Sequence, residues 1–267
     1  MKISFSTLGC PGWSWEEIVA AALDLGYDGI ELRGIGKEIY VPKAKPFGIN
    51  RLAGTKESLR VKGLEIPCIT SSCCLNQEPD RAAIMAEGRD YVDLASSLSS
   101  PYVRVLGDKD PQPSEGVDLK QVVSGLRELC EYAAPRGVTL LLETNGVLSD
   151  PDTMLQVIEE TNHPNAAVLW DIHHPYRYMG ASPWDVCSKI GKYIRHVHVK
   201  DSRIEDARIR YCLLGQGDIP VRASIDALKN LGYQGWISLE WVKRWYDSLE
   251  EPGIVFSHSI YTLKGLL

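Results

Sequence analysis

The chain has 267 residues, of which 44% are hydrophobic and 24% are charged, as is ordinary for a folded globular protein. Its net charge is −6 and it contains no Lys/Arg-rich run, which argues against a DNA or RNA partner because such proteins usually present a basic patch. Residues 1–9 predict a short strand rather than a signal peptide. The sequence contains no apolar window of about 18 residues, so no membrane span is predicted.

The seven cysteines are odd in number and irregular in spacing, and they include no C-x-x-C pair. Two of them, Cys73 and Cys74, are adjacent. We interpret the cysteines as small buried hydrophobic side chains of a protein in the reducing cytoplasm.

Eight short apolar segments recur along the chain and predict β-strands. They are rich in Val, Ile and Leu and are mostly apolar on both faces, as expected of parallel strands buried on both sides. The predicted strands are Ile3–Thr7, Gly29–Arg33, Glu65–Ser71, Tyr102–Leu106, Thr139–Thr144, Ala167–Ile172, His196–Lys200 and Trp236–Trp241.

Helical segments separate the predicted strands. The first begins where Ser14 and Glu17 have the spacing of a capping box, and it ends at Gly26. The other predicted helices are Arg81–Leu98, Leu119–Ala134, Pro151–Thr161, Trp184–Ile190 and Val221–Leu231. The least regular segment, Ile35–Thr55, is predicted to be a long loop over the active-site face.

The alternation of eight strands with helices predicts an α/β protein with a single (β/α)8 TIM barrel, in which residues 1–267 form one domain. A doubly wound sheet would normally have fewer strands and a Gly-rich phosphate loop after the first strand. No G-x-G-x-x-G follows the first predicted strand, which favours the barrel. The sequence leaves the oligomeric state open, so a homo-oligomer is allowed.

Polar side chains stand at the ends of the last four predicted strands, and the carboxyl ends of barrel strands all reach the same rim. These side chains are Glu143, Asp171, His198 and Glu240. Three carboxylates and an imidazole in a small volume would repel one another unless a cation lies between them. Oxygen-rich ligation with one nitrogen suits Mn²⁺, Mg²⁺ or Co²⁺ and is also compatible with Zn²⁺. The pattern therefore predicts one divalent metal ion at this rim.

The same residues lie in motifs that resemble those of the xylose-isomerase-like TIM-barrel superfamily, which includes ketose 3-epimerases, hydroxypyruvate isomerase and inosose dehydratase. The resemblance covers the whole chain, and its most specific motifs are Leu142-Glu143, Trp170–His174, His198–Asp201 and Leu239-Glu240. It implies that the four strand-end residues bind one divalent metal and that His174 faces the substrate. It also implies an arginine that holds substrate oxygens, to which Arg203 corresponds by proximity and not by a matching offset.

This resemblance, with the chemistry of the residues, predicts an isomerase or epimerase for a small sugar or sugar-like substrate. A metal ion that binds adjacent carbonyl and hydroxyl oxygens would stabilise the enediolate formed when the neighbouring carbon loses its proton. Glu143 and Glu240 are predicted to be catalytic, as base and acid on opposite faces of the substrate. Lys200 is also predicted to contact substrate, and Trp13 to line the pocket, because sugars stack on aromatic faces.

Three polar residues near these positions have more than one interpretation. Glu31 and Arg33, at the end of the second strand, either pair with each other or enter the pocket, and Arg104 has the same ambiguity. His196 alternates with the predicted ligand His198, so it points the same way about one layer deeper.

Three other functions fit parts of the pattern. An inosose-dehydratase-like lyase would share the proton abstraction and then expel a hydroxyl group. An apurinic endonuclease of the same superfamily needs additional histidines on strands three and four, whereas the first histidine here is His163, with Cys73 as a conceivable substitute ligand. A non-catalytic sugar-binding barrel would have no need of the complete ligand set. Whether the substrate is phosphorylated is left open, although the glycines of Gly215–Asp218 resemble a phosphate loop.

Overall fold

The computed structural model describes residues 1–76 and 80–267. These residues form two compact units, a terminal unit of Met1–Pro67 with His198–Leu267 and a central unit of Cys68–Val197. The strands are β1 (Lys2–Ser6), β2 (Gly29–Glu31), β3 (Cys68–Cys74), β4 (Tyr102–Leu106), β5 (Thr139–Glu143), β6 (Ala166–Asp171), β7 (Ile194–Val199), β8 (Asp201–Glu205), β9 (Arg208–Cys212) and β10 (Trp236–Leu239). The α-helices are α1 (Trp15–Leu25), α2 (Leu52–Lys62), α3 (Arg81–Leu98), α4 (Leu119–Ala133), α5 (Pro151–Thr161), α6 (His173–Met179), α7 (Pro183–Ile190), α8 (Val221–Asn230) and α9 (Pro252–Leu266).

Eight of the strands form one sheet in the order β2-β1-β10-β7-β6-β5-β4-β3, and β8 pairs with β9 in a separate hairpin. In the terminal unit, β1 pairs in parallel with β2 on one side and with β10 on the other. In the central unit, β3 to β6 pair in parallel in chain order. Eight strands in one sheet, separated by helices, confirm the predicted (β/α)8 barrel.

The strands of the central unit are covered on both faces. Leu140, Leu141 and Leu142 are three successive residues of β5, and all three are fully buried. Because successive side chains of a strand point to opposite faces, this burial requires cover on both sides. The helices supply it, as α4 does with a buried stripe that includes Leu126 and Leu129 at helical spacing.

In the terminal unit, aromatic side chains join the first strand to the last helix. The Phe5 ring stacks on Phe256 with centroids 4.3 Å apart, and the Tyr27 hydroxyl donates to the Phe256 carbonyl oxygen at 2.7 Å. The predicted capping box of α1 is confirmed, since the Ser14 hydroxyl accepts from the Glu17 amide at 3.2 Å and Glu17 Oε2 accepts from the Ser14 amide at 2.7 Å.

Several elements differ from the prediction. The third strand is Cys68–Cys74 and not Glu65–Ser71, and the helices α6 and α9 were not predicted. The prediction of a loop over Ile35–Thr55 is wrong at the C-terminal end of that segment, because α2 begins at Leu52. Only Leu59 of α2 is buried, so this helix lacks the apolar stripe that identifies a helix in a sequence. The hairpin of β8 and β9 was not predicted either. Its turn residues, Asp206 and Ala207, have φ values of 49° and 60°, a backbone that usually selects Asn-Gly or Asp-Gly.

All seven cysteines are free thiols, and six are buried, with Cys212 partly exposed. Their interpretation as buried side chains is therefore confirmed for six of them. Within the described ranges, no helix has both the length and the apolar content needed to cross a membrane.

Candidate active site

In the central unit, Glu143 ends β5 as a buried carboxylate held by an arginine. Glu143 Oε2 lies 3.0 Å from Arg104 Nε, and both side chains are almost fully buried. Arg104 Nη1 also donates to the Ser71 carbonyl oxygen at 2.6 Å, which fixes the direction of the guanidinium. The ambiguity over Arg104 is thus resolved as an ion pair with a predicted catalytic residue.

Asp171 ends β6 and is oriented by the first turn of α6. Its Oδ1 accepts from the His173 amide at 2.8 Å. The ring of His174, three residues after Asp171, places Nδ1 3.0 Å from the Thr144 carbonyl oxygen and Nε2 3.9 Å from Asp171 Oδ2. Because a carbonyl oxygen can only accept, Nδ1 carries the proton, and the Nε2 of a neutral ring has the lone pair. His174 can therefore accept a proton or a hydrogen bond at Nε2.

In the terminal unit, His198 of β7 lies between two carboxylates. Its Nε2 is 2.9 Å from Glu31 Oε2, and its Nδ1 is 3.4 Å from Glu240 Oε1. Glu31 and His198 are both 0% exposed, and Glu240 is 6% exposed. Glu31 thus contacts a predicted metal ligand, a role that the sequence left open.

Lys200 is a buried cation beside the carboxylate of Glu240. Its Nζ forms an ion pair with Glu240 Oε2, and only 2% of the Lys200 side chain is exposed. The two oxygens of Glu240 therefore face different partners, an ammonium group and an imidazole.

Two groups of buried side chains among the described residues offer ligand atoms within 4.8 Å of one another. One consists of Glu143, Asp171, His198 and Glu240, here called the four-residue cluster, and the other of Glu31, His196 and His198. Three carboxylates and one imidazole supply hard oxygen donors with one nitrogen, which fit Mn²⁺, Mg²⁺, Co²⁺ or Zn²⁺. Arg104 and Lys200 pair with two of these three carboxylates, so the cluster keeps a negative charge that a divalent cation would offset. The donor chemistry therefore fits a single divalent ion.

The other two residues predicted to contact substrate are Trp13, which is half-buried, and Arg203, which is exposed. Trp13 is half-buried and packs edge-on against Phe256, with ring centroids 5.6 Å apart. Arg203 is about half exposed on β8 and pairs there with Glu205.

The loop that resembles a phosphate cradle holds a carboxylate of the chain itself. The amides of Gly215 and Gly217 donate to Asp201 Oδ2 at 2.8 and 3.0 Å, and the Ile219 amide donates to Oδ1 at 3.2 Å. These donors therefore fasten the loop to Asp201 instead of facing a phosphate group.

Cys73 is a poor substitute for the histidine ligands of an endonuclease site. Its Sγ donates to the Ile84 carbonyl oxygen at 3.5 Å, and burial raises the pKa of the thiol far above its ordinary value. Metal ligation needs the thiolate, which this environment disfavours.

The chain is similar to several known proteins. Fructoselysine 3-epimerase of Escherichia coli O157:H7 is 25% identical over 281 residues, covering 100% of this chain and 98% of the relative. Inosose dehydratase of Geobacillus thermodenitrificans is 26% identical over 215 residues, covering 69% of this chain and 72% of the relative. A crystal structure of the IOLI protein with a bound zinc atom matches with a TM-score of 0.81 at 19% identity, covering 100% of this chain and 98% of that one.

The family model that describes the xylose isomerase-like TIM barrel matches residues 19–257, which is most of the chain. The relatives are an epimerase and a dehydratase, both enzymes. The chain therefore belongs to the xylose isomerase-like TIM-barrel family.

Proposed function

We propose that this protein is a divalent-metal-dependent sugar isomerase or epimerase that abstracts a proton next to a carbonyl group. The observation that carries the proposal is the four-residue cluster of buried ligand atoms. Glu143, Asp171, His198 and Glu240 would hold the ion, which would be Mn²⁺, Co²⁺ or Mg²⁺, with Zn²⁺ also compatible with these donors. When bound, the ion would polarise adjacent carbonyl and hydroxyl oxygens of the substrate and stabilise the negative charge that develops as the proton leaves.

Glu143 and Glu240 are the proposed acid and base. Each has one oxygen directed to a fixed cation of the chain, Arg104 for Glu143 and Lys200 for Glu240. These contacts orient the two carboxylates, and proton transfer needs a carboxyl oxygen within hydrogen-bond reach of the reacting carbon's proton. On this proposal, one carboxylate removes the proton from one face of the substrate and the other delivers a proton to the opposite face.

His174, Lys200, Arg203 and Trp13 are the proposed substrate contacts. His174 presents Nε2 to a substrate hydroxyl group while Thr144 holds the other side of the ring. Lys200 would contact a substrate oxygen while it keeps its ion pair with Glu240. Trp13 supplies an apolar face for a sugar ring. Arg203 would have to leave its exposed pairing with Glu205 to take part.

The proposed substrate is a small polyhydroxylated carbonyl compound. One relative that matches over the full length is a fructoselysine 3-epimerase, and another relative is an inosose dehydratase. Both names describe a carbonyl group with hydroxylated neighbours, which is the arrangement that proton abstraction requires. We also propose that residues 1–267 act as one domain in the cytoplasm, where seven free cysteines are expected to stay reduced.

An inosose-dehydratase-like lyase is the second proposal. The buried ammonium group of Lys200 favours it, since expulsion of hydroxide needs a proton donor beside the leaving oxygen. Both reactions begin with the same proton abstraction, so the product distinguishes them.

Proton NMR in D2O tests both proposals. The purified protein is loaded in turn with Mn²⁺, Co²⁺, Mg²⁺ and Zn²⁺ and given fructoselysine, ketoses, inososes and hydroxypyruvate, with the products analysed after the metal is removed. An isomerase or epimerase is expected to introduce deuterium at the carbon beside the carbonyl without any other change in the substrate's composition. A lyase is identified by a product that has lost one water molecule. Cleavage of an abasic DNA duplex, with no exchange on any sugar, would overturn both.

A further inference from the structure

Glu31 is a fully buried carboxylate at the C-terminal end of β2, and one of its oxygens contacts an imidazole. It is 0% exposed, and its Oε2 lies 2.9 Å from His198 Nε2. Moving a carboxylate out of water is unfavourable unless hydrogen bonds or charges compensate it. A carboxylate in this place therefore needs a reason, and its contact with His198 supplies one.

The two nitrogens of His198 have different surroundings. Nε2 faces Glu31, whereas Nδ1 lies 3.4 Å from Glu240 Oε1, a member of the four-residue cluster. If Nε2 donates its proton to Glu31, the lone pair of the neutral ring is on Nδ1. Nδ1 is the nitrogen that faces Glu240 and the four-residue cluster, where the proposed metal ion needs a nitrogen ligand.

We infer that Glu31 is a positioning residue, which fixes the tautomer and ring orientation of His198 so that Nδ1 is presented to the metal. This inference rests on the proposed function, because it assumes an ion at the four-residue cluster. Histidine ligands commonly donate their second ring proton to a carboxylate, and loss of that carboxylate typically weakens metal affinity by about 10- to 100-fold.

A competing arrangement makes Glu31 a ligand. Glu31, His196 and His198 also offer ligand atoms within 4.8 Å of one another. In that case an ion would bind on the Nε2 side of His198, and Glu31 would contribute to affinity directly. The two arrangements differ in which nitrogen of His198 carries the proton and in whether Glu31 acts through His198.

A double-mutant cycle on metal affinity separates them. The dissociation constants of Mn²⁺ and Zn²⁺ are measured for the wild type, E31Q, H198Q and the double variant, with D108N as a control for loss of another buried carboxylate. We expect one ion per chain, a loss of about tenfold in E31Q, and no further loss when E31Q is added to H198Q. D108N should keep the wild-type affinity, because Asp108 accepts from the amides of Ser114 and Val147 and serves to hold a loop.

A spectroscopic measurement gives an independent readout. In the Zn²⁺-loaded wild type, ¹⁵N NMR should show His198 protonated at Nε2, and E31A should lose that proton's protection from exchange. Unchanged affinity in E31Q, losses that add fully in the double variant, or a proton on Nδ1 of His198 would each overturn the inference. If the wild type binds no divalent ion, the proposed function fails, whereas ¹⁵N NMR of the metal-free protein still decides whether Glu31 fixes the tautomer. Should E31A fail to fold, E31L, which also removes the acceptor but fills more of the space, gives the same NMR test.

Discussion

The two proposed catalytic carboxylates differ in the cation that holds them. Glu143 is paired with a guanidinium, which stays protonated in proteins and is itself anchored to the Ser71 carbonyl oxygen. Glu240 is paired with the ammonium group of Lys200, a cation that can exchange a proton. The two faces of the substrate would therefore meet carboxylates that are held by different cations, Arg104 for Glu143 and Lys200 for Glu240.

Substitution by glutamine tests the roles of the two carboxylates. E143Q and E240Q each retain an oxygen that can face the metal but lose the group that accepts a proton. We expect each variant to lose about 100-fold or more in exchange of the substrate's hydrogen with solvent, or to exchange on one face alone. The measurement is deuterium uptake into a confirmed substrate at saturating metal.

D171N is the matched comparison, because we assign Asp171 to metal binding alone. This variant should bind the metal more weakly than the wild type. Excess Mn²⁺ should therefore restore part of its activity, since mass action offsets a weakened metal site but not a missing base. If E143Q and E240Q exchange hydrogen at the parent rate with unchanged metal content, the two-carboxylate assignment is wrong and His174 or Lys200 becomes the leading base.

The ion pair of Arg104 with Glu143 gives a stability prediction. R104M removes the guanidinium and leaves a buried carboxylate without it, which should lower the free energy of unfolding of the metal-free protein by about 3–5 kcal/mol. Urea unfolding with and without Mn²⁺ measures this, and the ion should restore more stability to R104M than to the wild type. The double variant R104M/E143Q should recover part of the loss, and a double variant as unstable as R104M would contradict the assignment.

At the scale of single elements, Asp201 holds together the turn that follows the β8–β9 hairpin. Its carboxylate accepts from the amides of Ser202, Gly215, Gly217 and Ile219 at 2.8, 2.8, 3.0 and 3.2 Å. Burial raises the pKa of the Asp201 carboxyl, while the four amide donors act in the opposite direction. The glycines suggested a phosphate loop because backbone amides can bind either a phosphate or a carboxylate. The carboxylate that they bind here is that of Asp201, the first residue of β8.

Replacing this carboxylate should loosen the loop. In D201N one acceptor oxygen becomes an NH2 donor that faces amide donors, so we expect a loss of about 2–4 kcal/mol in stability. Hydrogen exchange should show faster exchange at Gly215, Gly217 and Ile219. The control is D118N, since Asp118 is the N-cap of α4 and asparagine serves equally well there. Equal stability of D201N and D118N would refute this role for Asp201.

Elements with a local signal were predictable, and those without one were not. The first helix could be placed because Ser14 and Glu17 form its cap and Gly26 ends it in the left-handed region at φ 72°. The helix α2 has neither a side-chain cap nor a buried stripe, so nothing in its sequence distinguishes it from a loop. The hairpin was missed because Ala207 adopts a positive φ that alanine rarely takes.

At the scale of the whole molecule, the fold follows from the repeated alternation of apolar strands and helices, which depends on no single residue. The four proposed ligands could be named from the sequence because each ends a strand. Their partners could not, because the contacts of Glu31 with His198 and of Arg104 with Glu143 join side chains of different strands, β2 with β7 and β4 with β5. Such contacts depend on strand order and register, which a single sequence does not contain.

The buried thiols predict how the stability of the molecule changes at alkaline pH. Burial raises the pKa of Cys130 and of Cys187 from the ordinary value of 9.0 to about 12, and it raises the pKa of Cys10 and Cys73 as well. At pH values between about 9 and 12, the unfolded chain releases thiol protons that the folded protein keeps. The unfolded state then binds fewer protons, so the free energy of unfolding must fall as pH increases.

We therefore expect the free energy of unfolding to decrease steadily as pH rises above about 9, in reducing buffer to prevent oxidation. Urea unfolding across this range measures the slope, and the ultraviolet absorbance of thiolate shows when the native thiols ionise. C130A removes one of these groups, so its stability should fall less steeply with pH than that of the wild type, even if its stability at neutral pH is lower. C212A is the comparison, because Cys212 is partly exposed and its pKa rises only to about 11. Native thiols that ionise near pH 9, or a C130A slope equal to that of the wild type, would show that burial does not control these groups.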